Sequence, residues 1–301
     1  MPKAPLNNLK IEYDISGDAS DKPILLIPGL GMQLTGYPEG FVSALTTRGF
    51  RVIRLDNRDM GLSDGFEAAG RPNPRRVLTT RLMGLRPDVP YTLADMAADC
   101  AGVLDHLGIE RAHIAGCSMG GMIAQLVAIR HPGRALSLTS IMSTTGHPML
   151  PRPHPEAASV LGQRRANPRT HREDYLDEAV DIAQILGSPG FPEDPAEIRA
   201  RAAADLDRAF RPSGFARQYA AILAAPHRRR ALSALRLPAA VIHGTADPLV
   251  PIAAGRDTAD HLPGAVLTEI DGMGHNLPAA LHTPIAEAIA AVADRAEQAA
   301  A

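Results

Sequence analysis

Apolar residues fall into two alternating rhythms along most of this chain. Lys10-Ile11-Glu12-Tyr13-Asp14-Ile15 alternates polar and apolar with period two, the pattern of a half-exposed strand. Pro23-Ile24-Leu25-Leu26-Ile27-Pro28 is instead short and continuously apolar, which predicts a strand buried on both faces. It runs into the turn Gly29-Leu30-Gly31. A helical stretch over 39–48 stops at Gly49, and residues 50–55 form the next strand, ending at Asp56.

Residues 64–91 are rich in Gly, Pro and Arg, without clean periodicity, and read as loop with at most a short helix. Thr92 then caps a strong helix. Leu93, Met96, Ala97, Cys100, Val103, Leu104 and Leu107 share one face, Asp95 completes a near capping box, and Gly108 closes the segment. A buried strand over 112–116, a helix over 119–130 and a strand over 135–142 follow. From 143 to 235 the pattern changes to Pro-rich breaks and short amphipathic helices, such as 174–185 and 195–209, with no convincing strand. Strands return at 239–244 and 265–270, and a last helix covers about 284–298. Strands alternating with helices predict an α/β fold with a mostly parallel central sheet flanked by helices. The chain divides into a core of 1–142 and 236–301, and a helical cap, or lid, of 143–235 inserted after the strand ending near Met142.

Composition narrows the function classes. A formal charge of -2 over 301 residues provides no field to gather nucleic acid. Only three of the 31 basic residues are lysines, and the arginines are scattered among 33 acids. No uninterrupted apolar stretch is long enough to span a bilayer, and the first residues lack the apolar stretch of a signal peptide. Cys100 and Cys117 are too few for a disulfide framework. The expectation is a cytoplasmic protein with no nucleic-acid or membrane partner; a homo-oligomer is left open.

Two segments match G-x-S-x-G: Gly116-Cys117-Ser118-Met119-Gly120 and Gly61-Leu62-Ser63-Asp64-Gly65. A nucleophile elbow needs a strand entering the motif and a helix leaving it, so that the serine sits in a tight turn with its hydroxyl above the sheet. Ser118 has both. Ser63 is followed by Phe66-Glu67-Ala68-Ala69-Gly70-Arg71-Pro72, which cannot sustain a long helix, and reads as a turn serine. Cys117 points away from the reacting side and reads as buried filler.

A serine hydroxyl needs an imidazole to take its proton and a carboxylate to orient that imidazole. Of eleven histidines, His275 lies in the Gly-rich loop Asp271-Gly272-Met273-Gly274-His275-Asn276 after the last strand, at the carboxyl edge where ligands bind. Asp247 occupies the loop after the preceding strand. Ser118, Asp247 and His275 thus appear in the required chain order. The backbone N–H groups of Met119 and Leu30 are the expected oxyanion donors, and Gly29, Tyr37, Ser143, His147, Tyr219, Ile222, Leu249 and Asn276 are candidates for the substrate pocket. No metal-ligand cluster, phosphate-cradling loop or dinucleotide fingerprint is present, so neither metal nor cofactor is expected.

These residues resemble the α/β-hydrolase superfamily over essentially the whole chain. Asp56-Asn57-Arg58-Asp59-Met60-Gly61-Leu62-Ser63 is similar to the D-x-R-G-x-G-x-S turn of that family, with Asp59 where glycine is usual; the resemblance implies a structural role for Arg58. Ser118-Met119-Gly120-Gly121-Met122-Ile123 and Gly272-Met273-Gly274-His275-Asn276-Leu277-Pro278 resemble a group of bacterial carboxylesterases that includes aclacinomycin methylesterase. That resemblance implies an α/β-hydrolase fold with a helical cap and a small-molecule ester as substrate. The expected function is hydrolysis of a carboxylic ester of small to medium apolar substrates through an acyl-enzyme. A C–C bond hydrolase or cofactor-free perhydrolase with the same three residues is the alternative, with Arg152 and His147 as candidates to grip a carboxylate. A non-enzymatic receptor on the same scaffold is a third.

Overall fold

In the computed structural model, which describes residues 2–6, 9–162 and 166–300, eight strands form one sheet. They are β1 (Lys3–Leu6), β2 (Leu9–Ser16), β3 (Lys22–Ile27), β4 (Phe50–Leu55), β5 (Ala112–Cys117), β6 (Ala135–Ile141), β7 (Ala239–Gly244) and β8 (Val266–Ile270). Their order is β1-β2-β4-β3-β5-β6-β7-β8. β1 and β2 pair antiparallel with each other and β2 with β4; the remaining pairs are parallel. All parallel strands therefore end at one edge, where each runs into a loop.

The helices of the core are α1 (Glu39–Thr46), α2 (Pro74–Leu82), α3 (Leu93–His106) and α4 (Met119–Arg130). Between β6 and β7 come α5 (Pro155–Gly162), α6 (Arg172–Leu186), α7 (Pro195–Arg208), α8 (Pro212–Ala224) and the short α9 (Arg229–Leu232). α10 (Ile252–Asp260) and α11 (His282–Ala300) close the chain.

Alternation along the strands sorts side chains to two faces. Leu25 and Ile27 of β3 pack with α3 and α4, whereas Ile24 and Leu26 face the layer that holds Phe41, Leu45, Ile285 and Ile289 of α1 and α11. All four strand residues are wholly buried, each contributing roughly 1.5–3 kcal/mol of transfer free energy. Ten consecutive residues of α4, Met119 to Ala128, are buried, so this helix is apolar all round and lodged between sheet, α3 and the helical segment. α3 begins as predicted: Thr92 and Asp95 form a reciprocal capping box. Both cysteines are free buried thiols.

Among the described residues of 143–235 the regular structure is helical, and the segment bonds loops at the carboxyl edge of the sheet. The end of α6 and the loop that follows it bond the loop after β8, through His275 N to Leu186 O (2.7 Å) and Gly190 N to Gly272 O (2.9 Å). No helix among the described residues is long and apolar enough to cross a membrane.

Candidate active site

β5 delivers Ser118 into a tight turn with φ 55° and ψ -119°, a conformation an L-residue adopts only when its surroundings enforce it. The enforcement is backbone packing. A Cβ on Gly120 would lie 1.9 Å from Ile27 O, and one on Gly116 2.2 Å from Gly120 O. Ser118 occupies the N-cap position of α4, where serine normally bonds the first helical N–H groups, yet its side chain makes no cap bond. Its Oγ lies instead 3.0 Å from His275 Nε2. The first N–H groups of α4 are consequently left at the positive end of the helix.

His275 Nδ1 lies 2.7 Å from Asp247 Oδ2. Asp247 is buried, and its other oxygen accepts from Leu249 N (2.9 Å) and Val250 N (2.8 Å). Burial alone would raise its carboxyl, but the facing His275, contact with His243 and the backbone donors outweigh that and hold it well below the usual carboxylate range. An ionised Asp247 has no proton to give, so His275 Nδ1 is the donor and Nε2 is left to accept from Ser118 Oγ. His243 Nε2 donates to Val250 O at 2.7 Å, bracing the same loop.

The turn after β3 sits against this group. A Cβ on Gly29 would lie 3.4 Å from Ser118 Cβ. Pro28 O accepts from Asn57 Nδ2 (2.9 Å), and Gly31 N donates to Gln218 Oε1 (3.0 Å). Leu30 N, between them, has no partner among the described residues; nor does Met119 N at the start of α4.

The remaining predicted site residues separate. Tyr219, Ile222 and Leu249 are half-buried, and Ile222 packs against the same cluster as Leu30. Tyr37 is a correction: it is wholly buried and cannot line a pocket. Its hydroxyl donates to Ile27 O (2.8 Å) and accepts from Cys117 N (3.1 Å), tying the end of β3 to the elbow from behind. Ser143 is also buried, donating to Ser118 O at 2.7 Å. His147 stacks edge-on against His227 with its ring near Arg229 and Asp257, and no bond joins it to Ser118 or His275. Asn276 bonds the α6–α7 loop, accepting from Ser188 Oγ and donating to Glu193.

Ser63 is fully buried; its hydroxyl donates to Asp56 O (2.7 Å) and accepts from Glu12 N (2.8 Å). Arg58 forms a bidentate pair with Asp99 under the rings of Phe66 and Tyr91. Sequence reasoning missed Gln218, Ser188 and Arg217, which reach the site's loops from the helical segment. Only Asp59, noted as a departure from the family turn, carried a signal: its carboxylate is bidentate to Arg217 at 2.7 and 2.7 Å, both side chains wholly buried. Among the described residues no cluster of three His, Cys, Asp or Glu side chains is placed to hold a metal ion.

The model of the alpha/beta hydrolase fold matches residues 22–278, and the chain belongs to that family. It is 31% identical to rhodomycin D methylesterase of Streptomyces sp. (strain C5), over 91% of this chain and 92% of that protein. It is 27% identical to a 2-hydroxy-6-oxononadienedioate/2-hydroxy-6-oxononatrienedioate hydrolase of Burkholderia vietnamiensis, over 89% of this chain and 85% of that one. A solved meta-cleavage product hydrolase from Pseudomonas fluorescens IP01 shares the fold with TM-score 0.75 at 18% identity, covering 98% of both chains.

Proposed function

We propose that this protein hydrolyses carboxylic esters of small to medium apolar substrates, methyl esters among them, through an acyl-enzyme on Ser118. The observation that carries the reading is the line Ser118 Oγ–His275 Nε2 (3.0 Å) and His275 Nδ1–Asp247 Oδ2 (2.7 Å), beside the uncapped start of α4. The similarity to a methylesterase over nine-tenths of the chain supports the ester class.

Ser118 Oγ attacks the ester carbonyl while its proton passes to His275 Nε2. The carbonyl oxygen becomes an oxyanion that accepts from Met119 N and Leu30 N. The C–O bond to the alcohol then breaks, and the leaving alkoxide takes the proton from His275. Water repeats the sequence on the acyl-enzyme, releasing the acid and restoring Ser118. Asp247 stabilises the imidazolium formed in each half and holds the ring in register.

C–C bond hydrolysis is the second reading, favoured by the 27% identical relative. A dienoate carboxylate needs a cation to hold it, and among the described residues of the segment the buried arginines are committed elsewhere: Arg217 to Asp59, and Arg228 to Gln125 Oε1 and Thr144 O. Arg152, the sequence candidate, is exposed.

The test is a panel of methyl and p-nitrophenyl esters run beside a 2-hydroxy-6-oxo-dienoate. Ester turnover with a burst of p-nitrophenol, and a fluorophosphonate adduct on Ser118, are expected. Turnover of the dienoate with no ester hydrolysed would replace this reading by the second.

A further inference from the structure

The turn that carries Leu30 is held from above by the helical segment, and the hold is built rather than incidental. α8 approaches the core through two glycines. A Cβ on Gly214 would lie 2.0 Å from Asp59 O, and one on Gly31 would lie 2.7 Å from Phe215 Cδ2. Arg217, on the same helix, is bidentate to Asp59 and donates to Gly70 O (2.8 Å). Tyr91 Oη (2.7 Å) and Phe66 N (2.7 Å) complete the bonds to the Asp59 carboxylate. One residue further on, Gln218 is wholly buried; its Oε1 accepts from Gly31 N at 3.0 Å and its Nε2 donates to Arg58 O at 2.9 Å. Those two partners, one donor and one acceptor, leave no freedom in the amide's orientation.

The consequence falls on the neighbouring peptide. Gly31 has φ 71°, so the turn brings consecutive N–H groups close together, and either could face a developing charge. With Pro28 O held by Asn57 and Gly31 N consumed by Gln218, Leu30 N is the group left to face Ser118. We infer that Gln218 is a positioning residue for the oxyanion hole, so that α8, bolted to the core by the Asp59–Arg217 pair, completes the catalytic apparatus from outside the sheet. The inference rests on the serine-hydrolase reading above and names a residue that reading does not use. Without Gln218, the half-buried Gly31 N–H loses its partner, and the turn relaxes by rotating that peptide. The effect is on the transition state, because the ground-state carbonyl makes weaker use of the hole than the oxyanion does.

The test uses the full chain with a p-nitrophenyl ester and an alkylboronic acid, which forms a tetrahedral adduct with the serine. Gln218→Met keeps the length and shape of the side chain and removes both bonds. It should lower kcat by about 10- to 100-fold, with KM changed by no more than about twofold. The boronate inhibition constant should rise by the same factor as kcat falls. Gln218→Glu keeps an acceptor for Gly31 N and should stay within about tenfold of the parent kcat, which also decides the matter where the Met variant does not fold. A Met variant that melts earlier but keeps kcat and boronate affinity overturns the inference, as does one whose KM alone rises. So does a folded Glu variant as slow as Ser118→Ala. Ser118→Ala in parallel separates the two levels. Full activity there removes the serine-hydrolase reading itself, whereas an inactive Ala variant beside an unaffected Met variant removes only Gln218.

Discussion

Two turns of this molecule obey the same five-residue grammar and end in opposite states. Gly116 to Gly120 begins in the last two residues of β5, Gly61 to Gly65 comes after β4, and both read G-x-S-x-G. In the first, the serine itself takes the left-handed backbone, φ 55°, and its hydroxyl stands clear of its own backbone against His275. In the second, Asp59 (φ 71°) and Gly61 (φ 52°) take the left-handed positions, and Ser63 is turned inward. Its hydroxyl is used on both sides, by Asp56 O and Glu12 N. The difference shows what the motif encodes. The elbow glycines license a close backbone approach, whereas Gly61 and Gly65 face only side chains among their nearest neighbours, and the strand and helix on either side decide whether the serine is presented or consumed.

The largest expected separation of the two is in rate. Ser118→Ala should lower kcat by about 10⁴- to 10⁶-fold, leaving only binding and the oxyanion donors to act. Ser63→Ala should leave kcat within about twofold, since a conservative change away from the reacting atoms moves neither donor nor base. Steady-state kinetics of both variants on one ester decide it, and comparable losses from the two would abolish the distinction.

That contrast was legible in the sequence because it depends on neighbours along the chain. Strand β4, helix α4 and strand β7 lie where short apolar runs and their Gly, Asp and Pro boundaries predict them. Ser118, Asp247 and His275 each follow a strand, so period and chain order were enough to bring them to one edge. β1 escaped because it is four residues long, contains Pro5 and is defined only by its register with β2, Lys3 opposite Glu12. α10 escaped because its buried face, Ala254, Gly255, Asp257 and Thr258, holds no large apolar side chain and carries little periodic signal. Tyr37 reads as pocket in the sequence because an aromatic near a catalytic loop has the same spelling whether it faces a substrate or supports the turn from behind. Gln218 and Ser188 were illegible for a stronger reason. A polar residue in an amphipathic helix or loop reads as solvated, and its partner lies 187 residues away for Gln218 and Gly31, and 88 for Ser188 and Asn276.

The second separation uses the final glycine of each turn. A methyl on Gly120 meets backbone, Ile27 O at 1.9 Å and Pro28 O at 2.7 Å, so the strand end bearing the oxyanion turn must shift. Gly120→Ala should cut kcat by about 100-fold or more, as displacements of about 1 Å near reacting groups do. The nearest atoms to a methyl on Gly65 are the ends of two flexible side chains, the Glu67 carboxylate and the Arg211 guanidinium paired with it, which can shift at the cost of a largely exposed ion pair rather than of backbone. Gly65→Ala should leave kcat unchanged and stability within about 0.5 kcal/mol. Kinetics and thermal melting of the pair check this, and equal behaviour would mean the elbow is not held by backbone contact.

The smallest effect is the stability cost of Ser63→Ala. Ser63 is fully buried, so removing its hydroxyl exposes nothing to water. Glu12 N loses the acceptor it holds at 2.8 Å, and Asp56 O loses its donor at 2.7 Å. Asp56 N still bonds Glu12 O, so β2 and the end of β4 stay paired while one donor is stranded. An unsatisfied buried N–H costs about 1–3 kcal/mol, and the vacated space, a single oxygen, is too small to add a large cavity term. Denaturant melts should therefore show a lower midpoint with an unchanged slope, since the surface exposed on unfolding is the same. Fluorophosphonate labelling of Ser118 should proceed at the parent rate. A variant as stable as the parent would mean that Ser63 is not the peg of its turn; slowed labelling would mean that the two turns communicate through β3 and β4.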